Sequence, residues 1–103
     1  STERIFYTKI GETTTFEHAF WVYSNRWTKE GIGWEVSNIS FASGIIVSCN
    51  PNKGIIYNGD PPLPISITVT VVGNADVYKG KIEVQRVGDS YDKDEVKIII
   101  VVL

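Results

Sequence analysis

Residues 65–71 read ISITVTV, and they carry the clearest secondary-structure signal in the chain. Apolar side chains stand at the odd positions and hydroxyl side chains at the even ones. This period of two places one face of an extended strand against a core and the other face in water. The stretch therefore predicts a half-buried β-strand, and residues 81–85, which read KIEVQ, predict another.

The composition of the 103 residues favours an all-β protein. Isoleucine, valine and threonine make up a third of the chain, whereas leucine and alanine total five. β-Branched side chains fit strands better than helices. The net charge of −2 lacks the basic excess of nucleic-acid-binding proteins. No apolar run reaches the length of about 18 residues that a membrane-spanning helix needs. We predict neither a nucleic-acid partner nor a membrane span.

Turn-forming residues divide the chain into seven or eight short strands, which we expect to be mainly antiparallel. The last strand is predicted at 95–102, after a polar turn at 88–92. The apolar parity changes after Trp34, so we predict a bulge or bend at Ser37-Asn38. This spacing is typical of a β-sandwich, and we predict one domain over 1–103. The chain has no methionine, so we expect it to be processed or excised from a longer one.

The sequence offers few groups for catalysis. The single histidine, His18, is predicted on the face of Phe16, Phe20 and Val22, as a hydrogen-bonded and partly buried side chain. Cys49, the single cysteine, is expected to be a small buried hydrophobe. One histidine and one cysteine assemble neither a catalytic triad nor a zinc site. We predict no enzymatic activity, no cofactor, and a core made by Phe20, Val22, Ile67, Val69, Val71, Ile82, Val84, Ile98 and Ile100.

Residues 45–87 carry a set of turn and strand motifs with a family likeness. They resemble the immunoglobulin-like β-sandwich modules of microbial surface and secreted proteins, such as the Ig-like repeats of archaeal envelope proteins and the BACON modules. The resemblance implies an Ig-like architecture and an extracellular or cell-envelope location. The matching positions are structural and imply no ligand; they are Val47, Ser48, Pro51, Gly54, Ile56, Ile67, Val69, Asn74, Ala75, Tyr78, Gly80, Ile82 and Val84.

Carboxylates cluster near the predicted last turn. Asp89, Asp92 and Asp94, followed by Glu95, form an oxygen-rich segment of the kind that binds calcium. Lys93 lies in the middle of the cluster and the EF-hand spacing is absent. The simpler interpretation is a solvated hairpin loop that keeps a sheet edge soluble.

Aromatic side chains are concentrated in the first third of the chain. Trp21, Tyr23 and Trp27 are candidate contacts for a carbohydrate, because aromatic rings in a shallow groove stack on sugar rings. Trp34 opens a predicted strand and is expected in the core. For Trp27, in a polar loop, a contact residue and a loop anchor remain equally good interpretations.

The last strand is apolar on both faces. If Val96 and Ile98 face the core, then Ile99, Val101 and Leu103 face outward, where a half-exposed strand would be polar. These three residues are the predicted partner interface, for a neighbouring domain, another copy or an envelope protein. One alternative is a homo-oligomer in which strand 96–103 pairs edge to edge with another chain. Another alternative is that the following domain of a longer chain covers these outward side chains.

The sequence thus favours a non-catalytic structural, adhesive or assembly module, such as a component of a cell surface or S-layer. The alternative is a carbohydrate-binding module, which could accompany an enzyme. The sequon Asn38-Ile39-Ser40 is in keeping with an external location if Asn38 is exposed.

Overall fold

The computed structural model describes residues 3–24 and 30–103, and these residues form eight β-strands and no α-helix. Within these ranges no helix is long and apolar enough to cross a membrane. The strands are β1 (Glu3–Thr8), β2 (Thr13–Val22), β3 (Ile32–Phe41), β4 (Ile45–Asn50), β5 (Lys53–Ile56), β6 (Leu63–Val71), β7 (Asp76–Arg86) and β8 (Asp89–Val102).

The strands form two sheets that enclose a shared core. The larger sheet has the order β1-β8-β7-β3-β5, and the smaller one has the order β2-β6-β4. Neighbouring strands are antiparallel except β1 and β8, which are parallel. The predicted all-β sandwich of seven or eight mainly antiparallel strands is confirmed, whereas its Ig-like character stays a prediction.

The core follows the alternation seen in the sequence. Along β6, the side chains at odd positions from Ile65 to Val71 are buried, and those between them are partly exposed. The predicted core residues are all buried except Val84, which is partly buried against the core. Trp34 is buried as predicted and lies against Gly54, where an added Cβ would come within 3.0 Å of the indole nitrogen.

The predicted bulge in β3 is confirmed. The register of β3 with β7 shifts between Val36 and Asn38, which pair with Val84 and Glu83 respectively. The extra residue, Ser37, is exposed. Both Val36 and Ile39 therefore pack against the core, although their positions differ in parity.

The prediction for His18 is wrong. The register of β2 with β6 shifts between Phe16 and Phe20, so the residues between them interrupt the alternation. His18 has φ of 54° and an exposed side chain, while Ala19 takes a fully buried position beside Phe20. Phe16 and Phe20 both still face the core, because the register shift lies between them.

The prediction for the last turn is also wrong. The hairpin turn contains only Val87 and Gly88, and β8 begins at Asp89 rather than at Glu95. Gly88 has φ of 81°, which a two-residue hairpin turn accommodates easily with glycine. The acidic residues therefore belong to a strand, whose register with β7 shifts between Gln85 and Arg86.

The edge-to-edge pairing of residues 96–103 is excluded by the position of β8 within its sheet. One edge of β8 pairs with β1, from Lys97 to Val102, and the other pairs with β7 along the same residues. Because backbone donors and acceptors on both edges are used, another chain cannot add to this strand. Only its outward face is left for a partner.

Candidate functional site

Five apolar side chains lie together on the outward face of the larger sheet. The register pairs Ile5 with Ile99 and Tyr7 with Val101 across β1 and β8. Val101 also pairs with Val77 of β7. The alternate residues of β8 are buried in the core, so these side chains point away from it. We call Ile5, Tyr7, Val77, Ile99 and Val101 the apolar patch.

The apolar patch is open to solvent across three strands. Ile5, Tyr7 and Val77 are 51%, 63% and 50% exposed, and Ile99 and Val101 are half-buried. Contiguous apolar surface of this kind is often a contact site in soluble proteins. The patch therefore has the character expected of a protein interface.

Two of the three predicted interface residues form the central strip of this surface, between β1 and β7. Ile99 and Val101 lie within the patch, and Leu103 continues β8 beyond it with an exposed side chain. The amide of Leu103 donates to the carbonyl oxygen of Thr8, 2.9 Å away, which keeps this end of β8 attached to β1. The contributions of β1 and β7 were not predicted from the sequence, although residues 5–7 are consecutive apolar side chains like those of β8.

A charged border adjoins the apolar patch on the same face. Lys79 pairs with Ile99, and in the next row Lys97 lies between Glu3 and Lys81. A shallow depression is lined by Glu3 on the β1 side and by the lysines on the β7 side. The border is therefore acidic at one flank of β8 and basic at the other.

Lys81 is tied to its own sheet by two ion pairs. Its Nζ atom lies 3.3 Å from a carboxylate oxygen of Glu83 and 3.5 Å from one of Glu95. The hydrogen bond and charge of Glu83, together with the charge of Glu95, raise the pKa of Lys81. Lys81 is therefore protonated, and the carboxylates of Glu83 and Glu95 offset its charge within the sheet.

The candidate carbohydrate contacts lie at the open edge of β2. Trp21 and Tyr23 are 44% and 68% exposed, and Trp27 lies outside the described residues. The guanidinium carbon of Arg4 is 5.7 Å from the ring centre of Trp21, and the His18 ring lies 6.2 Å away at an interplanar angle of 29°. The indole of Trp21 thus already has a cationic and an aromatic neighbour. A sugar ring stacked on the indole would lie beside these two side chains.

The carboxylates of the calcium candidate are not gathered into a site. Within the described ranges, no three or more side chains of His, Cys, Asp or Glu are placed to hold a metal ion. Asp89 accepts a hydrogen bond from the amide of Tyr91 at 3.0 Å, and Asp94 accepts one from Glu95 at 2.8 Å. Asp89 and Asp94 therefore accept hydrogen bonds from nearby backbone amides of β8.

Cys49 and Asn38 lie on strands β4 and β3, away from the apolar patch. Cys49 faces Ile67 across β4 and β6, and burial raises the pKa of its thiol to about 11. The thiol form is therefore favoured near neutral pH, and the side chain, predicted to be buried, is partly buried against the core. Asn38 is exposed beside the bulge in β3, where its amide is accessible.

Comparison of the chain with protein-family models and with curated proteins finds no match.

Proposed function

We propose that this chain is a non-catalytic structural or assembly module that contacts another protein through the apolar patch. The observation that carries the proposal is the continuous outward surface formed by β1, β8 and β7. The hydrophobic effect favours covering this surface, because each Å² of apolar area removed from water contributes about 25 cal/mol. Half-exposed side chains from three strands thus provide a contribution of a few kcal/mol.

The charged border supports a specific partner over indiscriminate adhesion. Glu3, Lys81 and Lys97 lie in a single row beside the apolar patch. Charges at the rim of an interface set orientation and reject wrong partners more than they add affinity. We therefore expect the partner to present apolar surface opposite the patch and complementary charges opposite this row.

The proposed setting is an extracellular or cell-envelope protein, in which the module is Ig-like and adhesive or part of a surface layer. The support is the resemblance carried by residues 45–87 and the exposed sequon at Asn38. A bulky glycan is compatible with exposed backbone beside a bulge. Asn38 lies on β3, two strands from β8 in the larger sheet, whereas the apolar patch lies on β1, β8 and β7.

Site-specific photo-crosslinking tests the proposed contact. A photoreactive amino acid at Val101, in protein expressed in its source cells, is expected to give adducts that map to one surface of one partner protein. The control position is Thr68, which is on the outward face of the smaller sheet. Equal labelling from both positions, or no protein adduct from Val101, contradicts the proposal.

A carbohydrate-binding module is the second candidate, because Trp21 and Tyr23 are exposed at neighbouring positions of one strand end. Such a module could be an accessory part of an enzyme. Glycan-array screening, followed by titration of tryptophan fluorescence, tests this function. A sugar that changes the fluorescence of the native protein but not of Trp21→Phe supports it, and the absence of any bound glycan contradicts it.

A further inference from the structure

We infer that Asn38 carries an N-linked oligosaccharide in the source cell, and that this glycan shields an open edge of β3. The inference rests on the proposed extracellular or cell-envelope setting and adds a modification to it. Asn38, Ile39 and Ser40 form the only match in the chain to the acceptor pattern, in which one residue other than proline separates asparagine from serine or threonine. The register of β3, its bulge and its free edge support the inference.

The register of β3 with β7 places both acceptor residues on the outward face of the larger sheet. Asn38 pairs with Glu83, and Ser40 pairs with Lys81. Directly opposed residues have their side chains on the same side of a sheet, and Glu83 and Lys81 form an ion pair of 3.3 Å on the outward side. Asn38 and Ser40 are both exposed, whereas Ile39 between them packs against the core.

The bulge in β3 is the reason that Asn38 faces outward. Trp34 and Val36 face the core, and an unbroken alternation would bury Asn38 with them. Because Ser37 is the extra residue in the register, the parity changes and Asn38 takes an outward position. The hydroxyl group of Ser37 donates to the backbone carbonyl oxygen of Glu83, 3.4 Å away, and so joins the bulge to β7.

The carboxamide of Asn38 is accessible to a transferase. Within residues 3–24 and 30–103, no other group is hydrogen-bonded to this side chain. Its nitrogen would form a bond to the anomeric carbon of an oligosaccharide donor linked to a lipid phosphate. The bond from that carbon to the phosphate oxygen breaks, the lipid phosphate leaves with the bonding electrons, and the nitrogen loses one proton to a base of the transferase. The hydroxyl group of Ser40 completes the pattern that the transferase recognises.

The glycan would stand beside backbone that no neighbouring strand covers. β5 pairs with β3 only from Ile32 to Glu35, after which the amide of Val36 donates to the carbonyl oxygen of Asn52. Beyond Val36, no strand of the described ranges pairs with this edge of β3. Unpaired donors and acceptors at a sheet edge are a template for pairing with another chain. A large hydrated oligosaccharide on Asn38 would block that approach.

The same attachment point leaves the apolar patch uncovered. Glu83, which pairs with Asn38, is six residues from Val77 of the patch along β7. At about 3.3 Å per residue, this spacing separates the two positions by about 20 Å along the strand. The glycan and the proposed protein contact therefore belong to opposite ends of one face, and both can be present together.

Mass spectrometry of the chain isolated from its source cells tests the modification. The expected result is a mass above that of the sequence by one oligosaccharide, carried by the peptide that contains Asn38. Fragmentation of this peptide is expected to place the sugar on Asn38. An unmodified peptide, or a sugar attached only at other positions, overturns the inference.

Ser40→Ala and Ser40→Thr form a matched pair of variants for the acceptor pattern. Ser40→Ala removes the recognised hydroxyl group and is expected to abolish the added mass, whereas Ser40→Thr is expected to retain it. Ser40 is exposed, so both variants are expected to fold, and circular dichroism checks this. A sugar that persists on Ser40→Ala overturns the inference, because its transfer would not depend on the acceptor pattern.

Light scattering at rising protein concentration tests the shielding of β3. Asn38→Gln lacks the acceptor and is expected to aggregate at a lower concentration than the glycosylated native chain. Asn74→Gln is the control, because Asn74 is exposed in a turn and belongs to no acceptor pattern. It is expected to keep the glycan and to behave like the native chain. Equal aggregation of Asn38→Gln and the control overturns the shielding role.

The modification and the proposed setting can fail separately. A membrane-impermeant amine reagent, applied to intact source cells, is expected to label lysines of a chain that lies outside the cell membrane. A labelled chain without sugar overturns the glycan and supports the setting. A chain that is neither labelled on cells nor recovered from the medium, and that carries no sugar, overturns both.

Discussion

The hydroxyl group of Tyr78 donates a hydrogen bond to the backbone carbonyl oxygen of Asn74, 2.7 Å away. The side chain of Tyr78 is buried against Gly44 and Gly73, where an added Cβ would lie 2.6 Å from its ring and 2.9 Å from its hydroxyl oxygen respectively. The amides of Val72 and Gly73 both donate to the carbonyl oxygen of Gly44. One side chain thus joins the turn after β3 to the turn before β7 and closes this end of the sandwich.

Tyr78→Phe is expected to lower the free energy of unfolding by about 0.5–1.5 kcal/mol, because it removes this hydrogen bond and keeps the packed ring. Urea denaturation monitored by circular dichroism measures the change. Tyr91→Phe is the control, since Tyr91 is 96% exposed, and its unfolding midpoint is expected to match that of the native chain. Equal midpoints for the two variants would show that the hydrogen bond to Asn74 adds no stability.

Gly80→Ala is expected to destabilise the protein by about 1–3 kcal/mol through overpacking. A Cβ at this position would lie 2.3 Å from both the Phe41 ring and the carbonyl oxygen of Ser40. Gly33→Ala is the matched control, because there the new methyl group would only reach ordinary contact with Val87, at 3.4 Å. Thermal unfolding of both variants measures the difference, and similar losses at the two positions would rule out the steric explanation.

His18→Gly is expected to stabilise the fold by about 0.5–1 kcal/mol, because its φ of 54° is strained for any residue with a Cβ. Glu17→Gly, one residue earlier in the same strand, is expected to destabilise it, since glycine there only adds entropy to the unfolded chain. Chemical denaturation of the two variants should therefore give shifts of opposite sign. A loss of stability in both would mean that the stacking of His18 on Trp21 outweighs the strain.

The rate at which iodoacetamide alkylates Cys49 in the native protein is expected to keep rising beyond pH 9, toward the thiol pKa of about 11. Burial disfavours the thiolate, so at pH 8 its fraction is about a hundredfold below that of an unburied cysteine. By the same linkage, the contribution of Cys49 to stability is complete below pH 9. It is lost as the pH rises toward 11, because the unfolded chain ionises first.

Mass spectrometry of the alkylated protein measures this rate, and the unfolded protein in urea is the control. The unfolded chain should react faster at pH 8 and level off near the ordinary cysteine pKa. A native rate equal to the unfolded rate at pH 8 would show that the thiol is accessible and ionised normally.

Local alternation was sufficient to predict β6, most of the core and the bulge at Ser37, because each depends on side chains a few residues apart. Alternation did not predict the exposed position of His18. There the letters continue to alternate through Phe16, His18 and Phe20, but the backbone does not. Alternation also did not predict that β8 begins at Asp89. A run of polar residues has the same composition in a loop and on the solvent-exposed part of a long hairpin.

The candidate site was only partly predictable for a related reason. The outward side chains of Ile99 and Val101 were evident from residues 96–103 alone. Ile5, Tyr7 and Val77 join them only because β1 and β7 flank β8, and these pairings connect distant parts of the chain. The change of sheet between β4 and β5 was equally hidden from the sequence pattern.

Thus the amino-acid order alone established an all-β protein with a shared core and an apolar last strand, because burial acts on every strand with a period of two. The neighbours of each strand, the closed edges of β8 and the continuity of the apolar patch came only with the folded chain. Strand pairing joins backbone groups that are nearly alike in every residue, so its partners are chosen by the packing of the whole molecule.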